Sequence, residues 1–237
     1  MTTDTKVAII TGASKGLGRE IARLYAGHGY NLALAARGSE ALDEVAAQLA
    51  STTEVISLAV DVSDDAERLV DATLDRFGRI DVLVNNASEL GPSPMPNLED
   101  LRWQDMERIL RVNVTAPLHL AQLVLPHMRA RGEGVIINVS SDAGVEAYPG
   151  WGGYGASKAA LEHLSRVIAE ELTDSGVRVY VVDPGDMDTE MHRAAEPGVD
   201  LSHLPGPGAA APEFLRLSEV ESATFGRFQA QSAAVAS

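Results

Sequence analysis

Apolar positions fall into short continuous runs separated by longer stretches with helical spacing. Lys6–Thr11 (KVAIIT), Asn31–Ala36 (NLALAA), Glu54–Asp61 (EVISLAVD), Ile80–Asn85, Gly134–Val139 (GVIINV) and Val177–Asp183 (VRVYVVD) have the length and β-branched character of strands. Leu17–His28 puts Leu17, Ile21, Leu24 and Tyr25 on one helix face, and Ser39–Ala50 does the same with Leu42, Val45, Ala46 and Leu49. A third helix is predicted over Asp64–Phe77, where Asp64 and Glu67 have the spacing of a capping box. A long helical stretch follows over Leu101–Arg131. Gly153–Thr173 aligns Leu161, Leu164, Ile168 and Leu172.

The strand runs are continuous rather than alternating, as expected where helices cover both faces of a sheet. Strand–helix alternation then predicts an α/β fold: a doubly wound parallel sheet of Rossmann-like form, in one domain over residues 1–237. Such sheets bind ligands beyond the carboxyl ends of their strands, where strand order reverses. After Glu190 the pattern weakens. Residues 186–212, rich in Pro, Gly and Ala from Glu196 on, read as a substrate loop or lid, and Ser232–Ser237 as a loose tail.

Composition narrows the classes. A chain of 237 residues with 45% hydrophobic content can bury one large core. It contains no cysteine, which excludes disulfides and thiolate chemistry and fits a reducing cytoplasm. A net charge of -15 opposes nucleic acid. No apolar run approaches the ~20 residues of a membrane span, and Met1–Lys6 has no leader-like run. His119, His127 and His163 lack metal-ligand spacing, so no metal is expected. Trp103 and Trp151 fit a substrate cleft or packing equally, and Asp186, Asp188 and Glu190 read as solvated or capping groups.

Candidate chemistry sits directly after the strands. Thr11–Gly18 (TGASKGLG) is a Gly-rich turn between strand and helix, where Gly12, Ser14, Lys15, Gly16, Leu17 and Gly18 would offer backbone N–H groups to a pyrophosphate. The second strand ends Ala35-Ala36-Arg37-Gly38, with an arginine where an acidic residue would select NAD. Lys15 and Arg37 together favour NADP(H). Tyr154 and Lys158 lie one helical turn apart, so a cation stands beside a phenol; that would lower the phenol's pKa and make it a general acid/base. Ser141, following the fifth strand, could hold a substrate oxygen, with Ser140 as its competitor.

Four motifs in this order, TGASKGLG at 11–18, NNAS at 85–88, YGASK at 154–158 and DPG at 183–185, make residues 6–189 resemble the short-chain dehydrogenase/reductase family in its short single-domain form. The resemblance implies an oxidoreductase interconverting a carbonyl and an alcohol. Tyr154 would be its acid/base and Lys158 the partner that also meets the nicotinamide ribose. It selects Ser141 over Ser140 to orient the carbonyl, and Asn113 to hold a relay water. Asp61 and Val62 would flank the adenine, Asn86 line the cofactor cleft, and Met187 (backbone) and Thr189 (hydroxyl) meet the nicotinamide amide. A homodimer or homotetramer packed through the helices around Val114–Arg131 and Tyr154 is also implied.

Alternatives within the fold are a 3-oxoacyl-(acyl carrier protein) reductase, with Arg129 and Arg131 meeting the carrier, or an NADP(H)-binding sensor without turnover. The sequence departs from the family at Ser88, where glycine is usual, and at Asp183, where asparagine is commoner. At the C-terminus only Gly226–Gln231 reads as a short last strand.

Overall fold

In the computed structural model, which describes residues 5–220 and 223–231, every predicted strand forms. They are β1 (Val7–Thr11), β2 (Asn31–Ala36), β3 (Val55–Ala59), β4 (Val82–Asn85), β5 (Gly134–Val139) and β6 (Val177–Asp183), joined by β7 (Phe225–Gln229). The sheet is parallel throughout, in the order β3-β2-β1-β4-β5-β6-β7, so strand order reverses between β1 and β4. β7 pairs with β6 from Val179↔Phe225 to Asp183↔Gln229, placing a last strand where the short Gly226–Gln231 run predicts one.

Alternate strand residues point to opposite faces, and each face has its own core. Ala8, Ile10, Val82, Val84, Ile137 and Tyr180 pack against α1 (Gly16–Gly27), α2 (Glu40–Leu49) and α8 (Ala211–Glu219). Ile9, Leu83, Ile136 and Val179 pack against α3 (Ala66–Phe77), α5 (Ala116–Arg131) and α6 (Gly152–Glu171). This is the single doubly wound domain that the sequence pattern implies.

Three stretches depart from the sequence reading. The helix expected from Asp64 begins at Ala66 with Asp65 at its N-cap and no side-chain cap, so the capping box does not form. Asp64 instead pairs with Arg111. The long stretch 101–131 divides into α4 (Trp103–Leu110), a π-helical turn (Arg111–Thr115) and α5. α7 (Glu190–Ala195) and α8 occupy the stretch where periodicity fades, with Pro212 in the first turn of α8. Tyr25 of α1 ties α8 down, its hydroxyl donating to Phe214 O at 2.8 Å and touching Ser218. The tail Ser232–Ser237 lies outside the described residues.

Candidate active site

At the β1/β4 switch, Thr11 Oγ1 accepts from the Asn86 and Ala87 N–H groups at 3.0 and 2.9 Å, and Asn86 Nδ2 donates to Thr11 O and Gly12 O. This lacing pins the Gly-rich turn to the end of β4 and occupies the Asn86 side chain structurally. Gly12 has φ +66°, and a Cβ at Gly18 would lie 2.4 Å from Gly12 O. Neither position admits a side chain. Lys15 is the N-cap of α1 and makes no side-chain cap, so the first turn through Gly16, Leu17 and Gly18 is presented without one. This cradle fits a dinucleotide pyrophosphate.

Both predicted cations stand at this edge, each already paired with an acid. Lys15 meets Glu190, and Arg37 lies 3.4 Å from Glu89, with both cations well exposed. Exposed pairs contribute only about 0–1 kcal/mol, so a bound phosphate can draw either cation away. Asp61 binds the Ser63 N–H and hydroxyl at 3.0 and 2.7 Å. Burial works to raise its carboxyl, but those bonds, with Arg37 and Arg111, outweigh burial and hold it below its ordinary value. Val62 is buried beside it.

The π-helical turn buries Asn113 against the end of β4. Its Oδ1 accepts from Glu89 N at 2.7 Å and Ser88 Oγ at 3.1 Å, while Nδ2 donates to Glu89 O at 2.8 Å and Ser157 Oγ at 2.9 Å. Asn113 therefore joins α6 to the β4 loop through Ser157 and Glu89, two residues with no sequence signal for this role.

Tyr154 and Lys158 are both buried on α6. Lys158 Nζ donates to Val139 O at 2.9 Å and lies 5.2 Å from the Tyr154 ring centre. Burial pulls the ammonium down to about 8, opposed by Glu162. The phenol does not behave as the sequence reading anticipates. Burial pushes it above its ordinary value; a Ser88 hydrogen bond lowers it, and Asp183 and Asp142 raise it further.

Ser141 and Ser140 follow β5 and both line the cleft with Tyr154, but their hydroxyls have different partners. Ser140 Oγ donates to buried Glu162 at 2.5 Å and is committed there. Ser141 Oγ donates to Asp142 at 2.9 Å and faces the same cleft as Tyr154. A Cβ at Gly155 would lie 2.4 Å from Ala143 O, so glycine lets α6 press against the Ser141 turn. The open cleft runs between Leu90, Trp151, Met187, Met191 and His192. Trp151 lines it, edge-on to Tyr154, whereas Trp103 is exposed on α4. The Met187 carbonyl is held by the His192 ring at 3.1 Å, and Thr189 Oγ1 caps α7 by accepting from His192 N. Asp188 pairs with Arg193, and among the described residues no cluster of potential metal ligands forms.

A parallel sheet with a glycine cradle at its switch point and a buried tyrosine–lysine pair at the adjacent strand ends defines a nucleotide-dependent oxidoreductase domain. The short chain dehydrogenase family model matches residues 6–200, and the chain belongs to that family. It is therefore an oxidoreductase acting on small molecules with a nicotinamide cofactor. An uncharacterized oxidoreductase of Thermotoga maritima is 38% identical over 186 residues, covering 78% of this chain and 73% of the relative. A short chain dehydrogenase of Shigella flexneri solved with NADP superposes at TM-score 0.85 with 29% identity, over 95% of this chain and 97% of its own. An NAD+-bound xylitol dehydrogenase superposes at 0.83 with 25% identity, over 94% and 96%. Among the described residues no helix is long and apolar enough to cross a membrane.

Proposed function

We propose that this enzyme interconverts a carbonyl and an alcohol with NADP(H), Tyr154 serving as general acid/base. The observation that carries the reading is the burial of Tyr154 and Lys158 on one face of α6 beside Ser141, in a cleft next to the glycine cradle. When bound, the nicotinamide supplies or accepts the hydride. Tyr154 gives its proton to the nascent alkoxide. Ser141 turns its hydroxyl from Asp142 to that oxygen and stabilises the charge as it develops. Lys158 and Asn113 flank the route by which the proton is replaced. Gly12, Ser14 and Gly16 to Gly18 would hold the pyrophosphate; Asp61 and Val62 would flank the adenine, Asn86 would line the cofactor cleft, and Met187 and Thr189 would meet the nicotinamide amide.

NADP(H) is favoured by Arg37 and Lys15 at the end of β2 and the start of α1, where no carboxylate takes the place of the ribose-binding acid. The carrier-protein alternative loses its support. Arg131 is bound to Ile80 O and Asp81 at the amino end of β4, the sheet edge opposite the cleft, and Arg129 shares that end of α5. Asp142 and Asp186 line the cleft without a lysine or arginine, which disfavours anionic substrates. We further propose assembly as a homodimer or homotetramer through α5 and α6, residence in the cytoplasm, and substrate closure by residues 186–212.

Tyr154→Phe should lower kcat at least ~100-fold and leave NADPH affinity within a few-fold. Full activity in that variant sinks the mechanism. Arg37→Asp should raise KM for NADPH at least ~10-fold more than for NADH; a wild type that binds NADH more tightly refutes the cofactor assignment. A panel of ketones, aldehydes and acyl thioesters scored by NADPH consumption tests the substrate class.

A further inference from the structure

β7 brings an arginine beneath the cleft that the proposed chemistry does not use. Arg227 Nε lies 3.1 Å from both carboxylate oxygens of Glu162, and its terminal nitrogen lies 3.7 Å from Asp183 Oδ2 and 3.5 Å from the Ser141 carbonyl. Glu162 and Asp183 are themselves buried. Tyr154, Lys158 and Glu162 recur every fourth residue and so stack along one face of α6. Asp183 closes β6 and accepts from Gly185 N at 3.0 Å.

The charges around the phenol can therefore be named. α6 supplies Lys158 and Glu162, β6 supplies Asp183, the turn after β5 supplies Asp142, and Asp186 and His192 of the segment after β6 line the same cleft. β7 supplies Arg227. The neighbouring cations Arg166 and Arg216 lie over the rings of Phe225 and Phe228, and Arg216 is paired with Glu213. Burial raises the Asp183 carboxyl above its ordinary value, opposed by the Gly185 N–H and by Arg227, and Asp183 in turn raises the Tyr154 phenol. A carboxylate at a position where the family commonly has asparagine thus meets its counter-charge on the last strand.

We propose that Arg227 is a positioning residue of the active site, holding Glu162, Asp183 and the Ser141 carbonyl together and so setting the field in which Tyr154 exchanges its proton. The inference rests on the reading of Tyr154 as acid/base. It requires the guanidinium charge rather than bulk, and it couples residue 227 to residue 183. If the pair is broken, Asp183 faces the phenol uncompensated, and deprotonation of Tyr154 in the oxidative direction needs a higher pH.

The test is the pH profile of kcat/KM for alcohol oxidation by the full chain. Arg227→Gln should move its rising limb alkaline by roughly half to one pH unit, the size of one uncompensated charge in a partly buried site. Its kcat should fall more than its KM rises. Arg227→Lys should keep the limb in place, and Arg227→Gln with Asp183→Asn should return it toward wild type. A limb unmoved in Arg227→Gln, or moved but not returned by Asp183→Asn, overturns the proposal. If Arg227→Gln does not fold, Asp183→Asn alone carries the test: its limb should move acidward, and an unmoved limb counts equally against us. Carboxyl-carbon NMR titration of Asp183 needs no turnover. Its pKa should rise in Arg227→Gln, or in Arg227→Lys be retained; a pKa indifferent to both substitutions overturns the pairing, whereas an inactive wild type refutes the Tyr154 reading instead.

Discussion

Replacing Lys158 by methionine should stabilise the fold near neutral pH while abolishing turnover. Lys158 is 2% exposed, and among the described residues its ammonium donates one hydrogen bond, to Val139 O. Folded, it releases its proton at about 8; unfolded, it does so near its ordinary 10.5. Holding the charge in the folded state therefore costs about 3 kcal/mol below pH 8. Between those values the unfolded chain binds more protons, so wild-type stability rises with pH across that window. Methionine removes the penalty but forfeits the bond to Val139, worth about 1 kcal/mol. The variant should gain about 2 kcal/mol at pH 7, less with each step above pH 8, and fall below wild type from about pH 9.5 upward. Urea unfolding followed by circular dichroism at about pH 7, 8.5 and 10 measures the difference directly. A Lys158→Met chain less stable than wild type at pH 7, or a difference that does not vary with pH, would falsify the reasoning.

Two further substitutions separate cofactor binding from stability. Gly18→Ala places a Cβ 2.4 Å from Gly12 O and 2.5 Å from Asn86 Nδ2; the turn must open, and NADPH affinity by fluorescence titration should fall at least ~10-fold. Asp81→Asn disturbs a buried carboxylate that accepts from Val7 N at 2.8 Å and binds Arg79 and Arg131 at the far edge of the sheet. It should cost about 3 kcal/mol in chemical unfolding and leave both KM values unchanged.

The six strands from β1 to β6 were legible because each is an uninterrupted apolar run, and burial on both faces demands that pattern. The residues proposed to hold the chemistry were read from motifs. What escaped was non-local. Glu162, a polar residue on a helix, looks like a solvated charge until Ser140 and Arg227 are brought to it from β5 and β7. Glu89 and Ser157 matter only because the π-helical turn aims Asn113 at both, and one extra residue in a helical turn leaves no mark on periodicity. α8 was hidden by the Pro- and Gly-rich residues before it, although Phe214 and Leu217 have the helical spacing and Pro212 a usual starting place. The high phenol was missed because spacing shows Lys158 next to Tyr154 but not how deeply the phenol is buried.

β7 is an edge strand of the sheet, paired among the described residues with β6 alone, yet it carries Arg227 beneath the cleft. Edge strands fray more readily than the strands they border, and local opening costs less free energy than global unfolding. Each time β7 lifts away, two buried carboxylates lose their counter-ion while β1 to β6 remain paired. Activity should accordingly fade at denaturant concentrations that leave the circular dichroism of the sheet intact, and amides of β7 should exchange with solvent before those of β5. On the proposed role of Arg227, loss of activity would then follow the adhesion of this outermost strand rather than the strength of the core.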